Sequence, residues 1–311
     1  CCSVGQKALL SFFSSEHFGL WAFFRLVFGE VKEFAMTFRD VDCDRKFVGH
    51  EAVPRWARIP YIVRGYREIG TSFGGCVKSA FKIHNETVNF WSHFLPFVLL
   101  LFYTPYVLFV LAKEAVLFDK VLIFVYLMAG ANCLASSSCY HLFGCHGHKS
   151  FLVLGRIDFK GIILLICASY MPALNAFFKS MPFWRIFYLS LTVVVTIKGI
   201  ILVEVFARRD WAVAKDAMFV FDAAWGLIPV FHFVCKSDFP REVIFFALQK
   251  IATMYGLYLL GFILYVSRIP ERFLPGKLDH FGHSHQLWHG CVNLALINWL
   301  HSNLQFLELV V

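Results

Sequence analysis

His285 and His289 stand four residues apart at the front of an apolar stretch that runs to Val310. On a helix that spacing puts both imidazoles on one face about a turn apart, the arrangement in which a helix offers two nitrogens to one metal ion. They lie within HFGHSHQLWHG, His280 to Gly290, where four of eleven residues are histidine. Two further groups suit the same chemistry: His141 in SSSCYHLFGCH (Ser136 to His146) and Asp158 in RIDFKG (Arg156 to Gly161). Three imidazoles with a carboxylate, or with water in its place, suit four-coordinate zinc. No thiolate joins the cluster and no all-oxygen shell is offered, which argues against an iron–sulfur centre, magnesium or calcium. Ser137, one turn before His141, shares its face and could position a substrate carbonyl or a water; a serine in an apolar helix also commonly bonds back to its own backbone.

Taken singly, each group is an ordinary helix-end residue at headgroup depth, and an i,i+4 histidine pair alone is a weak motif. As a set converging at one depth they point to a functional site. His280 and His283 precede the apolar stretch and are expected in solvent; His146 and His148 fall in a connection and rank behind His141. Lys160, Lys198, Glu204, Asp222, His232 and Lys250 are further ionisable groups in apolar surroundings. Of these, Lys198 and Lys250 are expected to snorkel or pair, and Asp222 lies where it could face the cluster.

The elements that must position these groups are membrane spans. The chain has 311 residues, 59% hydrophobic with 37 Phe, and only 16% charged, too oily for a soluble globule of this size. Apolar runs long enough to cross a hydrocarbon core as helix are found at about 90–112, 121–142, 157–178, 186–206, 217–235, 243–267 and 285–310. Short polar connections leave no room for a soluble domain among them. The expectation is an all-α membrane protein: a seven-transmembrane helix bundle over residues 85–311, an intramembrane zinc site, and a cytosolic N-terminal segment over residues 1–84.

Orientation comes from charge. Lys32, Arg39, Arg45, Lys46, Arg55, Arg58, Arg64, Arg67, Lys78 and Lys82 crowd the segment before the first run, which the positive-inside rule keeps in the cytosol. The C-terminus is then extracytosolic, and the second, fourth and sixth connections are cytosolic. Their own bias is slight, eight Lys and Arg against six in the other three (Lys149, Arg156, Arg208, Arg209, Lys215, Arg268, Arg272, Lys277 against Lys113, Lys120, Lys179, Arg185, Lys236, Arg241). This topology brings the ends bearing His141, Asp158 and His285 to one side. The net charge of +8 reads as topology and contact with anionic headgroups, with no support for a nucleic-acid partner. Ala8 to Phe28 is oily but interrupted by Glu16, His17 and Arg25; it is expected as an amphipathic surface helix rather than a signal peptide or an eighth span. The ten Cys are scattered without a paired framework and are expected as reduced thiols.

Three blocks, HNETVNFWSH (His84 to His93), YHLFGCH (Tyr140 to His146) with RIDFKG, and PERFLPGKLDHFGHSHQLWH (Pro270 to His289), closely resemble the signatures of the progestin and adipoQ receptor family, related to haemolysin III. The resemblance covers about residues 60 to 311. It implies seven helices, a cytosolic N-terminus and zinc near the inner leaflet, with ligands at His141, Asp158, His285 and His289 and with Ser137 matching the family's serine. Where the adiponectin-receptor branch carries a small or hydroxyl residue after Asp-x, this chain carries Lys160, which departs from that branch. The sequon Asn85-Glu86-Thr87 would face the cytosol, so glycosylation there is not expected.

Zinc held by three His with an open position brings the pKa of a bound water to about 7. Asp158 could hold that water and move its proton, while Ser137 helps polarise a carbonyl. The resemblance points to hydrolysis of ceramide-like lipid amides, a chemistry the adiponectin-receptor branch shares with alkaline ceramidases. The alternative is a non-enzymatic receptor for a hormone or steroid, or a Golgi-type signalling regulator, in which zinc only pins helices together. Plasma membrane and endomembranes both fit.

Overall fold

The computed structural model of the protein describes residues 47–207 and 212–310. The stretch Ala8 to Phe28, the basic residues Lys32, Arg39, Arg45 and Lys46, and Arg208 and Arg209 lie outside the described residues. The described elements are α1 (Phe73–Ser79), α2 (Thr87–Tyr106), α3 (Leu117–Phe143), α4 (His148–Phe177), α5 (Pro182–Ala207), α6 (Ala212–Ala224), α7 (Leu227–Lys236), α8 (Arg241–Ser267) and α9 (Ser284–Val310). Among the described residues there is no strand, only one antiparallel bridge between Val48 and Tyr66.

Five rods are long and apolar enough to cross a membrane: Thr87–Leu111, Leu117–His146, Pro182–Phe206, Asp216–Lys236 and Arg241–Ser267. Their outward faces carry Phe102 (77% exposed), Phe109, Leu99 and Phe231, surface that water would not tolerate in such quantity and lipid does. α4 and α9 are as long, with 30 and 27 residues. Both carry the polar residues of the candidate site, and α9 packs against α2, α3, α4 and α8. Tyr126 on α3 donates to the Leu296 carbonyl (2.8 Å), and Trp299 donates to Ser169 on α4 (2.7 Å).

Two boundaries depart from the sequence reading. α4 begins at His148, not near Ile157, so Asp158 lies on its third turn rather than at its tip. The connection expected from His146 to Arg156 is mostly helix, because apolarity marks where lipid begins, not where backbone hydrogen bonding begins. The fifth run is broken: α6 and α7 meet at Trp225–Gly226. A Cβ on Gly226 would come within 2.7 Å of both Tyr170 Cζ and Tyr255 Oη, so only glycine lets the backbone pass between these rings. The freed carbonyls are served by the same tyrosines: Tyr170 donates to Asp222 and Ala223 (3.2 and 3.0 Å) and Tyr255 to Ala223 (2.8 Å). An interrupted helix at bilayer depth needs such internal donors.

Candidate metal centre

His141 lies in the last turn of α3 and His285 and His289 in the first two turns of α9. The ligand atoms of these three residues all lie within 4.8 Å of one another. The ring centroids form a nearly equilateral triangle: 4.9 Å between His141 and His285, 5.0 Å between His141 and His289, and 4.7 Å between His285 and His289. The Nε2 atoms of His141 and His285 are 3.1 Å apart. Nitrogens held tetrahedrally at about 2.0–2.1 Å from an ion sit roughly 3.3 Å apart, so the two already stand close to shared-ion spacing.

The far nitrogens fix the tautomers. His141 Nδ1–H donates to Glu86 Oε2 at 2.7 Å. Ser92 Oγ donates to the Asn89 carbonyl (3.0 Å), so it accepts from His289 Nδ1–H at 2.8 Å. Each ring then presents a bare Nε2 lone pair inward, as a metal ligand with an oriented outer partner does. Burial works to raise the Glu86 carboxyl, but the imidazole of His141, together with the Asn89 amide (2.6 Å) and Arg67, outweighs it and holds the group well below the usual carboxylate range. Glu86 is therefore an anion under the cluster. His93 stacks on His289 with centroids 3.6 Å apart and planes within 12°; it is buried, and neither ring nitrogen has a hydrogen-bond partner among the described residues.

Asp158 stands beside this triangle. Its carboxylate accepts from Ser137, which is itself buried one turn before His141, and it lies within electrostatic range of that imidazole. The close approach of α4 to α3 that permits this depends on Gly161, where a Cβ would meet Ser136 Oγ at 2.6 Å and Cys133 Cα at 3.0 Å.

A polar cap of residues 47–86 and 268–283 closes this end. Buried Arg67 donates to the carbonyls of His141 (2.5 Å) and Leu142 (2.7 Å) and to Ser79 Oγ (3.1 Å), satisfying the C-terminus of α3 against its dipole. Asp279 accepts from the Val63 and Arg64 amides (both 2.9 Å), and Glu271 accepts from the Ser284 amide (2.7 Å) and its hydroxyl, which caps α9. His283 is thus only 1% exposed, with Nε2 3.4 Å from the Asn85 carbonyl, contrary to the expectation of solvent. The loop tucks under the N-terminal segment, and local apolarity carries no sign of that. His84 is buried as well. Its Nδ1 accepts from the Glu86 amide (3.1 Å) and its Nε2–H donates to Ser79 O (3.1 Å).

The remaining ionisable groups find partners elsewhere. Asp222, expected to be able to face the cluster, is buried and pairs with Lys198 at 3.6 Å. Lys160 pairs with Glu204, which Arg156 also approaches at 3.7 Å, so the extra cation beside Asp158 is matched by α5. Lys250 lies over the Phe246 ring, His232 meets the Tyr188 hydroxyl at 2.9 Å, and His146 Nδ1 donates to Thr71 O at 2.8 Å. Asn85 of the sequon is buried.

Sequence reasoning passed over Glu86, Ser92, His93 and Arg67. A signal for two of these existed: Glu86 and His93 stand at i and i+7 with Asn89 between them at i+3, a polar stripe at helical period in an apolar run.

Residues 81–300 match the family model described as Haemolysin-III related. The chain belongs to the Haemolysin-III related family. It is 31% identical over 251 residues to human Progestin and adipoQ receptor family member 3, covering 78% of this chain and 80% of that one. To the Progestin and adipoQ receptor-like protein 1 of Caenorhabditis elegans it is 32% identical over 254 residues, 80% of this chain and 58% of that one. To the Adiponectin receptor protein of Drosophila melanogaster it is 29% identical over 262 residues, 82% of this chain and 58% of that one. Membership in the Haemolysin-III related family and likeness to its progestin and adipoQ receptor members agree with the three blocks read from sequence, and His141, His285 and His289 all lie within the matched range.

Proposed function

We propose that this member of the Haemolysin-III related family is a seven-span, receptor-like zinc protein whose site hydrolyses a lipid amide of ceramide-like class. The observation that carries the reading is the triangle of His141, His285 and His289, with the outer nitrogens of two rings secured by Glu86 and Ser92. A compact three-nitrogen donor set with no sulfur suits zinc over harder cations.

Several features support the membrane arrangement. α4 and α9 are about 45 and 40 Å long at 1.5 Å per residue, α6 with α7 makes one crossing, and the basic residues from Arg55 to Lys82 belong in the cytosol. The site then lies at the inner leaflet of the plasma membrane or an endomembrane. Zinc, when bound, supplies a Lewis acid that polarises an amide carbonyl and acidifies a water. Asp158, outside the imidazole triangle but in electrostatic contact with His141, takes the proton of the attacking water and returns it to the leaving amine; Ser137 orients Asp158 and the substrate carbonyl. A small apolar cavity of about 20 Å³ lined by Tyr170, Phe177, Met254 and Trp299 marks an apolar track that an acyl chain would have to widen by parting these side chains. Trp299 lies ten residues beyond His289, about 15 Å along the helix, a reach suited to an amphiphile with its head at the site.

A second reading is a receptor, with a hormone or steroid ligand on the outer face, or a signalling regulator, in which zinc is structural. It is favoured by the way Glu86, Ser92 and the three imidazoles join α2, α3 and α9. Release of sphingoid base from a ceramide by the purified protein, lost in Ser137→Ala and Asp158→Ala at unchanged zinc content, supports the hydrolase. No turnover across several lipid amides, with Asp158→Ala failing to fold, selects the structural metal.

A further inference from the structure

Cys76 on α1 and Cys145 in the turn after α3 are 69 residues apart in sequence, yet their sulfurs are 3.5 Å apart. Both are free thiols and both are buried. The backbone around them is pinned: the Gly70 amide donates to Cys145 O at 3.0 Å, and the Ser72 hydroxyl caps α1 by accepting from the Gly75 amide at 3.1 Å. Cys145 also lines a cavity of about 50 Å³ shared with Tyr66, Arg67, Glu86 and His141, room for an oxidant the size of hydrogen peroxide beside its sulfur. The guanidinium of Arg67, held on the carbonyls of His141 and Leu142, stands in the same wall, and a fixed cation beside a thiol favours the nucleophilic thiolate.

We propose that Cys76 and Cys145 are a modification site, closed to a reversible disulfide by hydrogen peroxide. The Cys145 thiolate attacks one peroxide oxygen, the O–O bond breaks, and the departing hydroxide leaves as water with the thiol's proton, giving a sulfenic acid. The Cys76 thiolate then attacks that sulfur; the S–S bond forms, the S–O bond breaks, and a second water leaves. Two thiols lose two electrons, and one peroxide gains them. The sulfurs need to approach by about 1.5 Å to reach bonding distance. The product ties α1 covalently to the end of α3, four residues from His141, and so fixes the cap over the histidine cluster. On the cytosolic side, where disulfides are typically transient and redox-sensing, the thiol pool returns the pair to its reduced form by exchange. The thiol pair closes in the same way whether or not the histidine cluster hydrolyses a lipid.

The test uses the full chain in lipid nanodiscs, treated with hydrogen peroxide, then denatured and labelled with a maleimide polymer that adds a fixed mass per free thiol. Peroxide should remove two additions from the parent, dithiothreitol should restore them, and digestion should yield one peptide pair linked through Cys76 and Cys145. Cys76→Ser and Cys145→Ser should each abolish the loss of two additions. Retention of all additions in the parent, linkage of either residue to another cysteine, or the same loss in both single variants overturns the proposal. The linked-peptide measurement on the parent decides it even where a serine variant does not fold.

Discussion

Glu86 and His141, 55 residues apart in sequence, meet at 2.7 Å through Oε2 and Nδ1. The contact sets the histidine tautomer, turns its Nε2 toward His285, and places a carboxylate behind the candidate metal ligand at the point where α2 begins.

Replacing Glu86 should therefore loosen the metal without removing a ligand. Glu86→Ala should weaken zinc binding by about 10–100-fold, the usual cost of losing such an outer partner, and Glu86→Gln, which keeps an acceptor, should cost less. Competition titration with a zinc chelator measures both. Equal affinity in the parent and Glu86→Ala would leave the contact without a role in the site.

Gly226→Ala tests the broken rod. The added methyl meets Tyr170 and Tyr255 at 2.7 Å, and overpacking of this kind costs about 1–3 kcal/mol. Thermal unfolding in detergent should show a lower Tm with zinc content unchanged. An unchanged Tm would mean that the two tyrosines yield freely and that the break is not locked by them.

The neutral, doubly bonded His84 gives a pH dependence. Burial, with help from the nearby Arg67 charge, lowers its pKa to about 3, against about 6.5 in an unfolded chain. Between those values the unfolded state takes a proton that the native state refuses. The contribution is full above about 6.5 and shrinks as pH falls toward 3, by up to about 1.4 kcal/mol per unit. Denaturant midpoints at pH 7.5 and pH 5 should drop further for the parent than for His84→Gln. Parallel drops would remove His84 from the account.

Five apolar rods and the histidine triangle were legible in the sequence because both follow local rules: apolar length, and two imidazoles one helical turn apart. His141 could be joined to His285 and His289 once the topology put their ends on one side, and the structure brings all three together. Less legible was whatever depends on tertiary cover. The break at Gly226 lies between two apolar stretches, and only the rings of Tyr170 and Tyr255 explain it. The burial of His283 follows from Asp279 reaching back to Val63 and Arg64, a contact across more than 200 residues that no local pattern encodes. Glu86 was readable in principle, yet its helical stripe with Asn89 and His93 sits at the edge of a long apolar run that masks it.

The central claim is that one zinc ion is held by His141, His285 and His289. Elemental analysis of the purified protein, read beside zinc-edge X-ray absorption, should give about one zinc per chain with a first shell of nitrogen and oxygen and no sulfur, and His285→Ala and His289→Ala should each lose the metal. A parent without zinc, a sulfur ligand in the first shell, or full zinc occupancy in both histidine variants would contradict the account.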